Sequence, residues 1–221
     1  MTFFSSSPTA WAPGVSTQGS NNHECWQLWK DGLIEIADDK LSPKLEFTDP
    51  FFRRRLSQLT RMTIQVLHDV LEDRPDCKRC KVAFVSLRGE IARELSVNKM
   101  LFEDKAILPA AFSLSVFNAA PAAATIALGL HAGYSAIFPS QGNFRSALLA
   151  AAAPVCSHEE EKLLLVYADE MIPDCYAPFA PHDKHPLSFA TVLSAQGSDK
   201  SVCLNTDNLP STPENFLRMI I

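Results

Sequence analysis

The sequence predicts one layered α/β domain. Three observations carry this: short apolar runs of strand length alternate with helical patterns, no linker divides the chain, and two apolar runs joined by a turn signal close it. The 221 residues are 47% hydrophobic and 20% charged, which suits a single full-sized core.

Residues 1–24 are rich in Ser, Thr, Pro, Gly and Asn. They read as a flexible N-terminal arm wrapped over the body, which leaves 25–221 as the domain proper. Trp26 to Phe47 has a mixed pattern punctuated by Pro43 and, just beyond, Pro50. Thr48-Asp49-Pro50 places a capping residue before a proline, a helix-start signal. Leu56, Leu59, Thr63, Val66, Leu67 and Val70 then recur at helical spacing, one stripe of a long amphipathic helix that ends at Glu72 to Asp76. Lys81 to Ser86 is a short buried strand, and a second helix follows over Gly89 to Met100.

Phe112 to Phe117 reads as strand or turn, whereas the alanines of Ala119 to Leu130 form a helix with Pro121 in its first turn. Tyr134 to Phe138 is a short buried strand and Phe144 to Ala153 a helix of small residues. Leu163 to Ala168 is the clearest core strand. Leu187 to Ala195 and Ser201 to Asn205, joined by Gln196-Gly197-Ser198-Asp199-Lys200, predict an antiparallel hairpin.

Charge excludes some functions. A formal net charge of -5 with a pI near 5.7 argues against nucleic-acid binding, which needs a basic face. The basic cluster Arg53-Arg54-Arg55, with Arg61, reads as a solvated or partner-facing helix end. From Ala106 to Phe144 no Asp, Glu, Lys or Arg occurs, yet Pro109, Ser113, Ser115, Asn118 and Pro121 interrupt the run, so burial in a layered fold is expected rather than a membrane span. The N-terminus lacks the basic and apolar regions of a secretory signal. Six scattered cysteines then read as reduced thiols in a cytoplasmic protein.

Most candidate chemistry has a plain structural reading. Cys77 and Cys80 form a CxxC with no second ligand pair, and they precede a strand rather than follow one, so they read as the entry to that strand. His182-Asp183-Lys184-His185 lies between two prolines and reads as a solvated turn rather than a metal site. Asp169 and Glu170 end the Leu163 strand on opposite faces, so they do not make one carboxylate pair, and a strand end meeting solvent is expected. Gly133-Tyr134-Ser135-Ala136-Ile137 lacks the final glycine of a nucleophile elbow. No nucleotide-binding glycine pattern occurs, and no cofactor is expected.

One constellation stands apart. Ile137-Phe138-Pro139-Ser140-Gln141-Gly142-Asn143-Phe144 runs from strand through a small-residue turn into a helix, and such a turn favours an anion or thiolate at the helix N-terminus. Gln141 has no titratable proton and forms no thioester.

Arg53-Arg54-Arg55-Leu56-Ser57, Phe84-Val85-Ser86-Leu87-Arg88-Gly89-Glu90 and Phe112-Ser113-Leu114-Ser115-Val116-Phe117-Asn118-Ala119 resemble, in order, landmarks of half-size β-ketoacyl-synthase-like proteins of aryl polyene biosynthesis. The resemblance spans about residues 47 to 172 and implies a thiolase-like fold: one half of a layered sandwich, with a mixed sheet and helices on both faces. It puts Gln141 where ketosynthases carry their nucleophilic cysteine in an Ala-Cys-Ala-Ser-type turn. A glutamine there is similar to chain length factors and to decarboxylating loading ketosynthases. Phe117 departs from relatives that have His in a Ser-Val-His-Asn run. The catalytic histidines of full ketosynthases come from a C-terminal half for which this chain is expected to have no room.

The resemblance therefore implies a non-catalytic chain length factor that pairs with a catalytic β-ketoacyl synthase as a heterodimer and shapes its acyl tunnel. Phe112, Phe117, Asn118, Phe138, Gln141 and Phe144 would lie at that tunnel or the partner interface. Acyl carrier protein would be a partner through the complex; no nucleic acid, membrane, metal or cofactor is implied. The alternative is a free-standing malonyl-carrier-protein decarboxylase or acyltransferase that uses Gln141 as an oxyanion stabiliser. The alanine-rich helix after the turn would be covered by the N-terminal arm, by a partner, or by both.

Overall fold

A computed structural model describes residues 1–16, 23–140, 142–179 and 185–221. One mixed sheet forms its middle layer. The strands are β1 (Thr2–Trp11), β2 (Lys81–Val85), β3 (Tyr134–Ile137), β4 (Lys162–Asp169), β5 (Leu187–Ser194) and β6 (Val202–Asn205), in the order β3-β2-β4-β5-β1-β6. β2 pairs in parallel with β3 and β4; β4 with β5, β5 with β1 and β1 with β6 are antiparallel. The predicted α/β class and mixed sheet are therefore present.

Alternating side chains of the central strands feed two cores. On one face Leu163, Leu165, Tyr167, Phe189 and Leu193 pack with α7 (Phe144–Cys156), α8 (Pro213–Ile220) and α1 (His23–Lys30). On the other, Leu164, Val166, Ala190 and Val192 pack with α3 (Gln58–Asp73) and α6 (Ala119–Leu128). The described residues also form α4 (Ile91–Glu103) and the short helices α2 (Pro50–Arg53) and α5 (Pro109–Ser113). Among the described residues no helix is long and apolar enough to cross a membrane.

The N-terminal segment departs most from expectation. Over Thr2–Trp11 it is an interior strand, paired on both sides, and not an arm. Its polar residues mislead because they are buried with partners: the hydroxyls of Ser5 and Thr191 lie 2.7 Å apart, and Thr9 Oγ1 donates to the Val66 carbonyl at 2.8 Å. Pro8, which cannot donate to a ladder, falls where the register shifts between Ser6 and Thr9, beside Ser7 at φ 49. The same strand overturns the predicted hairpin. β5 and β6 do not pair with each other; β1 lies between them and takes the ladder of both.

The predicted long helix is divided. Asp49 caps the single turn of α2, accepting from the N–H groups of Phe51 and Phe52. Ser57 then starts α3 afresh as an extended N-cap that accepts from Thr60 N–H. Pro75 prevents continuation beyond the Arg74 C-cap. Phe112 lies in α5, and Gly129 closes α6 at φ 64, a left-handed conformation that glycine adopts without strain.

The helix after the turn, α7, buries Phe144, Ala147, Leu148, Ala151, Ala152 and Val155 against the sheet, including β1. The alanines let helix and sheet approach closely. Its C-terminal neighbours are tied in as well, for Arg218 stacks 4.2 Å over Trp29 and links α8 to α1.

If β1 is a core strand, Phe3, fully buried, is a sensitive position. Phe3→Ala should lower unfolding stability by about 3–5 kcal/mol in urea titrations, where a flexible arm predicts no change.

Candidate functional site

The parallel strands β2, β3 and β4 end at one edge of the sheet, where open α/β folds gather functional groups. Residues 86–92, Phe138 to Ser140 and Glu170 leave the strands there, and Asp169 is the last residue of β4.

Asp169 organises this edge. It is fully buried and accepts from Ser86 Oγ at 2.6 Å, Tyr167 Oη at 2.6 Å, and the N–H groups of Leu87 at 3.2 Å and Arg88 at 3.1 Å. Arg88 Nε stands 3.7 Å from its other oxygen. Ser86 Oγ in turn accepts from Gly89 N–H at 2.8 Å, so the carboxylate and one hydroxyl fold the loop back on itself. Burial, followed by the nearby Asp169 charge, pushes the Tyr167 phenol well above its ordinary range, keeping it a hydrogen-bond donor.

Glu170 points to the other face, as strand alternation requires, but it is buried as well and does not meet solvent. It accepts from Ala92 N–H at 3.0 Å. Glu90 is buried nearby and accepts from Thr60 Oγ1 at 2.5 Å and Ser57 Oγ at 2.8 Å, with Arg93 Nε 3.2 Å away. The N-termini of α3 and α4 thus converge on two carboxylates, an arrangement the helix dipoles favour. Burial pushes the Glu170 carboxyl up to about 7, with the charge of Glu90 adding to the effect. Both acids therefore act as posts that fix the loop. The expectation of a strand end meeting solvent fails because these polar groups find donors inside the fold.

Gly89 is required twice over at this loop. Its φ is +59, and an added Cβ would come within 2.8 Å of Phe117. Phe117 packs against Phe138 with ring centroids 4.6 Å apart, and Phe138 reaches Phe84 at 6.1 Å. Two of the predicted site residues, Phe117 and Phe138, are thereby brought together. Asn118 Nδ2 donates to Tyr134 Oη at 3.2 Å, and Phe112 is exposed on α5. Phe144 belongs elsewhere. It is buried against Tyr167 and Phe216 in the core, because the first turn of α7 rotates it beneath the helix.

Gln141 lies outside the described residues, as do His182, Asp183 and Lys184. Around it, Asn143 N–H donates to Ser140 O at 3.0 Å, Gly142 has φ 74, and α7 begins at Phe144. The Asn143 side chain does not cap α7; it accepts from Ser146 Oγ at 2.6 Å. Among the described residues no group of three metal-ligating side chains occurs. Of the described histidines, His23 begins α1, His131 precedes β3, His158 follows α7, and His68 stacks on Phe47. His185 is on the rim, 2.6 Å from Asp38, where Arg88 Nη2 donates to its carbonyl at 3.3 Å. The arginine cluster serves the fold: Arg53 and Arg61 donate to carbonyls of residues 43–45 and hold that loop on α3.

The residues the sequence left unassigned here were Glu90 and the pair Ser57 and Thr60, which lies at least 30 residues before it in the chain. The capping serine was the available signal.

Comparison with known proteins fits this arrangement. Residues 26–216 match the sequence family described as Beta-ketoacyl synthase, N-terminal domain. The chain is similar to a solved structure of a ketosynthase (ApeO) in complex with its chain length factor (ApeC) from Xenorhabdus doucetiae, with a TM-score of 0.78 and 22% identity over 99% of this chain and 90% of that one. It is similar to the ishigamide ketosynthase/chain length factor, with a TM-score of 0.64 and 14% identity over 90% of this chain and 64% of that one. A beta-ketoacyl synthase from Burkholderia phymatum gives a TM-score of 0.59 and 13% identity over 88% and 59%. The chain thus spans about three-fifths of the latter two. No curated protein matches the sequence. At these identities the likeness carries the fold, which is the thiolase-like sandwich half expected.

The buried Glu170 makes stability depend on pH. Its folded pKa near 7 exceeds the ordinary 4.5, so its contribution is full below about pH 4.5 and is lost as pH rises through 7. The loss is about 3 kcal/mol at most. Glu170→Gln should flatten the decline in urea midpoint between pH 5 and 8; an unchanged slope would refute the assignment.

Proposed function

We infer the function from one premise: this chain belongs to the β-ketoacyl synthase family, matching its N-terminal domain. It acts as a chain-length-factor-like, non-catalytic subunit that pairs with a catalytic β-ketoacyl synthase and bounds the tunnel for the growing acyl chain. The observation that carries this reading is chemical. The turn where the family keeps its nucleophile contains Ser140, Gln141, Gly142 and Asn143, with no thiol. Condensation needs a group that can form a thioester and a base to work with it, and a carboxamide supplies neither.

Two features support a partner. β3 ends the sheet and is uncharged, with Ser135 and Ala136 exposed, so its free edge has none of the charges that usually guard against strand pairing. The neighbouring stretch 101–126 exposes Leu101, Phe102, Leu108, Phe112, Phe117 and Ile126. Large apolar side chains in such number favour a covering surface over water. Phe117, Phe138 and Phe112 would limit chain extension by filling space near that surface, with Asn118 close to them in the chain. Following the sequence resemblance, we assign it to an aryl polyene type of pathway, with acyl carrier protein engaged through the complex and the assembly located in the cytoplasm.

The test is co-expression with a β-ketoacyl synthase encoded next to this chain's gene. The two should co-purify as a heterodimer and condense malonyl-carrier protein, while this chain alone should be inactive. Decarboxylation of malonyl-carrier protein by the isolated chain would overturn the subunit reading. Ile126→Asp places a charge on an exposed α6 position, so the chain should still fold, but partner recovery should fall at least about tenfold where the charge would be buried. Gln141→Cys should remain inert in the isolated chain, measured by acyl transfer from a carrier protein, because a thiol alone does not restore the base.

A further inference from the structure

The link between α3 and β2 holds a second set of reactive groups, at the opposite ends of the strands from the site above. Pro75–Arg79 forms a 3-10 turn, and Cys80, which caps it, donates its N–H to the Cys77 carbonyl at 2.9 Å. An i to i+3 turn of this kind brings its end Cα atoms within about 7 Å. A disulfide spans about 4.4–6.8 Å between Cα atoms, so the turn presents the pair at bridging separation.

The two thiols differ in a way that gives each a role. Cys77 is fully buried in the core formed with Val70, Val82 and Leu164, whereas Cys80 is half-buried and reaches solvent. Its neighbour Cys77 and then the Lys162 ammonium pull the Cys80 thiol down to about 7. Cys80 in turn, with burial, pushes Cys77 far up. Lys162 is held in place by Asp76, 2.9 Å away, which also takes Arg74. A solvent-reaching thiol of lowered pKa, one turn from a buried thiol, is the arrangement of a nucleophile and its resolving partner. Lys78 and Arg79, between the cysteines, line with His131 an open groove of about 760 Å³, room for a small molecule beside the turn.

We propose that Cys77 and Cys80 form a dithiol site that exchanges with low-molecular-weight organic disulfides and closes into an intramolecular disulfide. In the first step the Cys80 thiolate attacks one sulfur of the disulfide, forming a mixed disulfide and expelling a thiolate. In the second, Cys77 gives its proton to that thiolate or to water and attacks the Cys80 sulfur, breaking the mixed disulfide and releasing a second thiolate, which takes a proton from water. Two protein thiols are oxidised and one external disulfide is reduced to two thiols. The site is independent of the subunit reading.

Oxidised glutathione is the probe. After incubation with the native chain, alkylation and trypsin, cleavage at Lys78 and Arg79 separates the cysteines, so a ring disulfide appears as two peptides joined until reduction. Those joined peptides should be the main product, with glutathione retained only at exposed cysteines such as Cys175 and Cys203. Cys77→Ser should trap glutathione on Cys80, and Cys80→Ser should leave Cys77 unmodified. Alkylation of Cys80 in the unmutated chain should be half-maximal near pH 7 and needs no variant to fold. Absence of the joined peptides, glutathione stably retained on Cys80 beside a free Cys77, or Cys80 alkylation that rises only with that of Cys175 would each overturn the proposal.

Discussion

A buried carboxylate at the carboxyl edge of the sheet fixes most of what surrounds it. Asp169 would destabilise the fold by several kcal/mol if it were buried without partners. Donors from Ser86, Tyr167 and two successive backbone N–H groups surround it instead. The geometry that satisfies the charge also dictates the path of the loop after β2, because Leu87 and Arg88 must turn their N–H groups inward. That turn leaves Gly89 at positive φ against Phe117, and Phe117 in turn packs on Phe138. The aromatic floor of the candidate site therefore depends on an acid that touches none of its rings.

Glu90 and Glu170 extend the same device to the other face. Each is held by groups at the start of α3 or α4, so the loop between β2 and α4 is pinned from both sides of the sheet. In a catalytic site, buried acids with raised pKa values suggest proton transfer. Among the described residues their partners are structural: a helix N–H group, capping hydroxyls and one arginine. Their position behind the loop favours rigidity of the surface over chemistry at it.

The legible part of the sequence was the part governed by local rules. Leu163 to Ala168, Lys81 to Val85 and the α3 stripe follow period and burial directly, and the structure places them where these rules put them. β1 was not legible, because Ser5, Ser6 and Thr9 look solvated until Thr191 and Val66, over fifty residues away, supply their partners. The hairpin failed for the same reason: strand spacing and a Gly-Ser-Asp turn describe two strands, but they do not exclude a third strand lying between them. At the candidate site, alternation correctly sent Asp169 and Glu170 to opposite faces. Their burial was missed because the donors come from β2, α3 and α4. Phe144 shows the limit of motif position, since a residue adjacent to the site in sequence is turned by helix geometry into the core.

These constraints bear on what the turn before α7 does. A nucleophile at a helix N-terminus is useful only if an activating base and a leaving-group acid converge on it. Among the described residues the polar groups of this edge are committed elsewhere: Asp169 and Glu90 to the loop, Tyr167 to Asp169, and His185 to Asp38 on the rim. What the edge leaves uncommitted is apolar surface, in Phe112, Phe117 and Ile126, beside an uncharged strand edge. On the reading proposed above, a domain with these polar groups locked into the scaffold and with Phe112 and Phe117 exposed offers a surface for a partner to complete. Catalysis would then fall to that partner, and this chain would contribute shape.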